Sequence, residues 1–372
     1  MSFQQLSVSQ PIMAALQSKG YDHPTPIQQQ AIPAILSGRD VLASAQTGTG
    51  KTASFCIPML QKLADTKGAG TIRGLVLTPT RELAIQVSDN LRQYGKNLSL
   101  RSALIYGGVS QVNQVQQLRR GADIIIATPG RLMDLIQQRI INLSALDMLV
   151  LDEADRMLDM GFIRDVKKIL ALVPKNCQKV LLSATMPEEI QRLVAAILQN
   201  PIRIAVTPEK TTTRIEQGVY YVARGNKKAL LKHVITEQQM RNVLVFARTK
   251  RGADKIARDL SKSGITAEAF HGNKSQSARQ RTLANFKKNT TRVLVATDIA
   301  ARGIDIIDLP FVVNYEMPDT TETYTHRIGR TGRAGNTGTA LSFCDSEEMS
   351  QLKSLNRLAP GQIKVLQHPF AN

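Results

Sequence analysis

Cysteine is scarce in this chain of 372 residues. Cys56, Cys177 and Cys344 are the three present, each more than a hundred residues from the next. An odd number at such spacing excludes a disulfide framework and a cysteine metal cluster, fits a reducing compartment, and leaves the three as small core residues. No stretch approaches the run of about 18 apolar residues that a membrane span requires, so no membrane partner is expected. The opening Met1-Ser2-Phe3-Gln4-Gln5 lacks the basic segment and apolar run of a secretory signal, and the expected location is cytoplasmic. With 42% hydrophobic and 21% charged residues, the composition excludes a disordered or low-complexity chain. The length suggests two domains.

Negative charge is also in short supply. There are 48 Lys and Arg against 30 Asp and Glu, a net +18. The surplus lies in both halves: residues 1–207 hold 22 basic and 15 acidic side chains, and residues 208–372 hold 26 and 15. A polyanion touching both halves is the expected partner, and nucleic acid is the commonest polyanion.

What the chain has in abundance is short apolar, β-branched runs separated by amphipathic segments. Candidate strands in the first half are Val41–Ser44, Gly74–Thr78, Ser102–Tyr106, Asp123–Ala127, Met148–Leu151, Lys179–Ser183 and Ile202–Val206. Between them lie helical patterns such as Thr80–Tyr94, where Leu83, Val87, Leu91 and Tyr94 share one face. Near 207–214 the pattern lapses into a polar, Pro-containing stretch that reads as a linker. It then resumes with candidate strands Gly218–Val222, Val243–Phe246, Ala267–Phe270, Val293–Ala296, Val312–Asn314 and Thr339–Phe343. Strands alternating with helices predict an α/β fold: two lobes, each a mainly parallel sheet flanked by helices. The last dozen residues show no clear role. The chain ends at Asn372 soon after the second lobe, so a substrate-selecting tail is expected to be absent or removed.

Ala45-Gln46-Thr47-Gly48-Thr49-Gly50-Lys51-Thr52 follows the first strand and precedes a helix, the setting of a nucleotide phosphate loop. Gly48 and Gly50 let backbone N–H groups approach a phosphate. Lys51 can reach the β and γ oxygens, the Thr52 hydroxyl can ligate Mg²⁺, and the helix N-terminus adds partial positive charge. Ala45 stands where the general pattern has Gly. A second element ends the strand Met148–Leu151: Asp152-Glu153-Ala154-Asp155. Asp152 is placed to hold Mg²⁺, and Glu153 to orient and deprotonate the water that attacks the γ-phosphate. An acidic helix N-cap is the plain alternative.

The tetrad Asp-Glu-Ala-Asp together with the phosphate loop resembles the DEAD-box ATP-dependent RNA helicases, and within them the bacterial RhlE-like subgroup. The likeness covers nearly the whole chain and implies two RecA-like domains. On that basis residues 1–29 form an adenine-recognition segment, 30–207 the N-terminal ATP-binding domain, 208–216 the linker and 217–372 the C-terminal helicase domain.

The resemblance also assigns the remaining motifs. In Gly20-Tyr21-Asp22-His23-Pro24-Thr25-Pro26-Ile27-Gln28, Thr25 and Pro26 read by themselves as a helix cap and first helical position. The family motif adds Gln28 pairing with adenine, Tyr21 stacking on it and Thr25 nearby. Phe3 lies where the family has an upstream aromatic. Pro79-Thr80-Arg81, Gly107-Gly108 and Thr128-Pro129-Gly130-Arg131 match backbone contacts to RNA in the first lobe, as Gly272, Arg279 and Thr297 do in the second. In His326-Arg327-Ile328-Gly329-Arg330-Thr331-Gly332-Arg333, the likeness sends Arg330 and Arg333 to the γ-phosphate, with Arg333 the arginine finger. Asp305 would contact the ribose. Ser183-Ala184-Thr185, Asp155 and His326 would couple nucleotide state to strand separation, the Ser183 and Thr185 hydroxyls bonding with Asp155.

The implied activity is RNA-stimulated ATP hydrolysis, with ATP and Mg²⁺, at a site completed by both lobes. It would be coupled to local, sequence-nonspecific unwinding of short RNA duplexes or remodelling of RNA–protein complexes. Single-stranded and duplex RNA would be gripped by the sugar–phosphate backbone, and ribosome-assembly or RNA-decay complexes are partners by resemblance alone. A nucleic-acid motor acting on DNA and an ATP-gated RNA clamp remain the competing readings.

Overall fold

A computed structural model describes the chain apart from residues 1, 46–47, 66–69, 207–214, 302–303, 305, 307, 333–336, 359–362 and 371–372. The chain divides into two compact units, Met1–Glu209 and Lys210–Asn372.

In the first unit the strands are β1 (Val41–Ser44), β2 (Gly74–Leu77), β3 (Ser102–Ile105), β4 (Ile124–Ala127), β5 (Met148–Leu151), β6 (Gln178–Ser183) and β7 (Ile202–Ala205). They pair in parallel in the order β3-β4-β2-β5-β6-β1-β7. Runs such as Gly-Leu-Val-Leu in β2 and Met-Leu-Val-Leu in β5 are buried along their whole length. Such continuous apolar runs are what a parallel sheet covered by helices on both faces demands. Two apolar layers confirm it. One gathers Phe3, Ile12, Ile27, Ile32, Phe55 and Val150 on one face; the other gathers Leu42, Leu75, Leu149, Leu132 and Leu193 on the opposite face.

The second unit carries β8 (Ile215–Tyr221), β9 (Val243–Phe246), β10 (Ala267–Phe270), β11 (Val293–Ala296), β12 (Phe311–Asn314), β13 (Gly338–Cys344) and β14 (Ile363–Leu366). Their order is β10-β11-β9-β12-β13-β8-β14, again parallel. Adding seven to each strand of the first sheet reproduces the second, so the two units repeat one topology.

The sequence reading differs from the structure at two places. β8 begins at Ile215, inside the stretch read as linker: Glu216 and Gln217 are polar, but their backbone pairs with Thr339 and Ala340 of β13. β14 lies among residues given no role. It is a half-exposed edge strand with little apolar signal, held by backbone pairing to β8.

Among the described residues no helix is long and apolar enough to cross a membrane.

Candidate nucleotide and nucleic-acid sites

β1 leads into the phosphate loop, and the loop into the helix Lys51–Asp65. Gly48 and Gly50 have φ of +85° and +93°, values that glycine adopts without strain. Ala45 is buried, and its N–H bonds to the Ser183 carbonyl of β6, so a small side chain suits that position. Lys51 is 6% exposed and its Nζ has no hydrogen-bond partner. Thr52 follows it in the first helical turn.

Asp152 stands just past β5, tied through its N–H to Leu77 of β2, and its Oδ1 is likewise buried without a partner. Burial and the neighbouring Glu153 charge push its carboxyl up to about 7. Buried polar atoms ordinarily find partners. An ammonium and a carboxylate both left without one, beside a glycine-rich loop, are the complement of a phosphate and a cation. The donor set Thr52–Asp152, all oxygen, fits Mg²⁺.

Glu153 takes the left-handed backbone conformation, φ +53°, at the entrance to the helix Ala154–Asp159. Its carboxylate is bound by Arg156, three residues on and also buried. Arg156 went unnoticed in the sequence, although its i, i+3 spacing from Glu153 is a recognisable helical pair. Asp155 Oδ2 accepts from the N–H of Ala184 (3.1 Å), the N–H of Thr185 (2.8 Å) and the Thr185 hydroxyl (2.9 Å). The Ser183 hydroxyl accepts from the Asp155 N–H and donates to the Thr185 carbonyl. Thr185 is thus committed to Asp155, and Pro187 takes the N-cap of the next helix.

The adenine-recognition segment folds onto this loop. Thr25 occupies the N-cap of the helix Pro26–Leu36, with Pro26 at its first position. Gln28 accepts the Thr25 N–H at 3.0 Å and donates from Nε2 to the Gly50 carbonyl at 3.1 Å. The Thr25 hydroxyl is buried without a partner, so only the Gln28 half of the reciprocal cap forms. A Cβ at Gly50 would lie 2.5 Å from Gln28 Nε2 and 2.9 Å from Thr25 Oγ1. Each end of the Gln28 amide retains one unused site, a second N–H and a second lone pair, the pair that adenine would need. Tyr21 is exposed and meets Tyr94 edge-on at 6.0 Å. Phe3 is 1% exposed in the core and offers no open ring face.

Three of the expected RNA contacts in the first unit converge. Arg81 lies against Gly108, whose φ is +75°; a Cβ there would sit 2.3 Å from the guanidinium. Arg131 donates to the Val109 carbonyl from Nη1 at 3.4 Å and Nη2 at 3.3 Å. Thr80 caps the helix Arg81–Tyr94 through the Leu83 N–H, and Pro79 is buried beside it. Thr128 holds the N-cap position of the helix Pro129–Gln137 without a side-chain capping bond; Pro129, with its fixed φ, starts that helix.

In the second unit Gly272 and Arg279 follow β10, and Thr297 follows β11. Arg279 lies 4.8 Å over the Phe270 ring, and the Thr297 N–H bonds to the Phe270 carbonyl. Arg330 is buried and donates to the Ile304 carbonyl. His326 is half-buried on the helix Thr321–Ile328. Its neighbour Arg327, given no separate role beforehand, grips both carboxylate oxygens of Asp298 at 2.7 Å and stacks over Phe246. Gln46, Thr47, Asp305 and Arg333 lie outside the described residues.

Residues 25–193 match the family described as DEAD/DEAH box helicase, and residues 226–335 match the helicase conserved C-terminal domain. The DEAD-box ATP-dependent RNA helicase RhpA of Helicobacter pylori is 41% identical over all of this chain and 75% of its own length. CshA of Bacillus subtilis is 41% identical over 99% of this chain and 74% of its own. Among solved structures, Saccharomyces cerevisiae Dbp5 bound to RNA and ADP BeF3 is similar with a TM-score of 0.84 at 28% identity, covering 98% of this chain and 95% of Dbp5. A DEAD box protein of Methanococcus jannaschii is 40% identical over 99% of each chain, with a TM-score of 0.56. The two bacterial relatives carry the names RhpA and CshA, and the RhlE-like placement finds no support in them.

Proposed function

The chain belongs to the DEAD/DEAH box helicase family and is an ATP-dependent RNA helicase; we propose how its residues divide the work. The loop amides around Gly48 and Gly50 and the Lys51 ammonium hold the ATP phosphates, while Gln28 and Tyr21 hold the adenine. Thr52 and Asp152 would hold Mg²⁺, which when bound supplies positive charge to the β and γ oxygens. Glu153 orients the attacking water and takes its proton as the water oxygen bonds to the γ-phosphorus and ADP leaves. Arg330 and Arg333 offset the charge that develops on the transferring group.

RNA is held by its backbone on Thr80, Arg81, Gly107, Gly108, Thr128 and Arg131 of the first unit and on Gly272, Arg279 and Thr297 of the second. Affinity should then fall with salt and depend little on sequence. Asp155, Ser183, Thr185 and His326 couple the two activities. In domain terms we assign 30–207 to nucleotide binding and the chain from Ile215, where β8 begins, to the helicase C-terminal part. Ribosome-assembly or RNA-decay complexes in the cytoplasm are the proposed setting, and co-sedimentation with ribosomal particles tests it.

One observation supports the nucleotide site above the rest: Lys51 Nζ and Asp152 Oδ1 are both buried without partners. The test is ATP binding and hydrolysis by the full chain, with Lys51→Ala and Asp152→Ala beside it. Both variants should lose hydrolysis. Retained turnover in either would place the chemistry elsewhere.

A further inference from the structure

A cavity of about 730 Å³ opens in the second unit between the helices Lys227–Glu237 and Lys250–Lys262. Its floor is apolar, with Leu231, Ile256, Leu260 and the half-buried ring of Tyr315. It lies at the carboxyl ends of β9, β12 and β13, which lead into Arg248, Tyr315 and Asp345. Open parallel sheets bind their ligands outside those ends.

The repeated topology adds a second reason. β8 occupies in its sheet the place of β1, and each strand runs through a glycine-containing loop into a helix that opens on a lysine. The two lysines differ in state. Lys227 Nζ is held by Asp345 at 3.1 Å, by Glu348 and by the Phe343 carbonyl at 3.3 Å, whereas Lys51 Nζ has no partner. In the second unit the chain's own carboxylates stand where a phosphate would, yet the volume above them is kept.

The rim of that volume is basic. Lys228 and Lys232 are exposed one turn apart on the first helix, about 6 Å along its axis, and Arg224 is exposed in the turn just before it. Arg248 and Lys255 are exposed across the groove, and Arg251, Arg258 and Lys262 continue along the second helix. Acidic groups are present too. Asp259 pairs with Lys228 at 3.0 Å, Glu347 with Arg224 at 3.5 Å, and Glu316 accepts the Arg248 N–H at 2.9 Å. Lys232 and Lys255 enter no ion pair among the described residues. The Arg224–Glu347 pair is exposed on both sides, and such pairs contribute little, so a phosphate can replace the Glu347 carboxylate.

The groove also adjoins the expected RNA contacts. Thr249 lines it. The next residue, Lys250, bonds Asn273 at 2.8 Å, and its Cε lies 3.9 Å from where a Cβ on Gly272 would be.

We propose that this groove extends the RNA path beyond Gly272, its cavity taking one base against Tyr315 and the lysine row taking the phosphates that follow. A basic track with an aromatic floor is the usual design for a single strand. The proposal rests on the reading that Gly272, Arg279 and Thr297 hold the backbone.

The test compares the full chain with its Lys228→Gln/Lys232→Gln/Lys255→Gln variant. Each binds, without nucleotide, a short oligouridine and one about three times longer. The short strand should bind both proteins alike. The long strand should bind the variant about tenfold more weakly, with a salt dependence shallower by about 2 in log–log slope, from about 0.7 per lost phosphate contact. Tyr315→Ala should weaken the long strand alone while keeping the slope. Equal affinity of both proteins for the long strand, or equal weakening at both lengths, would overturn the proposal. Short-strand binding reports on the Gly272 contacts and the length difference on the groove, so the two readings fail separately.

Discussion

Arg156 binds the carboxylate of Glu153 from one helical turn away, with both side chains buried and Glu153 in a left-handed backbone conformation. Sparsely populated backbone conformations are kept where the surroundings fix them. Here the surroundings include a guanidinium whose Nε and Nη2 have no partner of their own. The pair holds the proposed base in place. Arg156→Ala should lower kcat for ATP about ten- to a hundredfold with KM nearly unchanged, and Arg156→Lys should restore part of it. Steady-state ATPase kinetics measure both. A higher kcat in Arg156→Ala would mean that Arg156 restrains Glu153 instead.

Gln28 joins the adenine-recognition segment to the phosphate loop through the Gly50 carbonyl. Gln28→Ala should therefore weaken ATP binding and also erase the preference for ATP over GTP. Nucleotide titrations of the parent and the variant compare the two. A variant that binds ATP weakly but still rejects GTP as the parent does would place adenine reading in another residue.

The first unit's site was largely legible in the sequence because its residues are contiguous: a strand, a glycine-rich loop, Lys51 and Thr52; then a strand and Asp152. Thr25 and Pro26 announced a helix start for the same local reason, and β1, β5, β9 and β11 match their predicted bounds because their apolar runs are sharply bordered. What remained hidden depends on the backbone or on distant packing. β14 is held by ladder bonds that polar residues make as well as apolar ones. Phe3 reads as a free aromatic until the core closes over it. The Arg327–Asp298 pair spans 29 positions, and nothing local marks it.

Acid stability of the second unit should depend on Glu268. Burial by itself would raise this carboxyl. Hydrogen bonds from Thr291, Asn285 and Thr282 and the Arg281 charge outweigh it and hold the carboxyl below its ordinary value. A depressed carboxyl stabilises the folded state above its unfolded pKa of about 4.3 and loses that contribution as pH falls through the lower folded value. Urea midpoints between neutral pH and pH 3 should fall more steeply for the parent than for Glu268→Gln. Parallel curves would mean that the cluster contributes no pH-dependent stability.

The central claim, that RNA stimulates hydrolysis and Arg333 offsets the charge on the transferring group, meets its most direct test in ATP turnover measured with and without single-stranded RNA, in the parent and in Arg333→Ala. RNA should raise turnover in the parent, and the variant should lose about a thousandfold or more of that stimulated rate. Equal turnover with and without RNA, or full stimulation in Arg333→Ala, would contradict it.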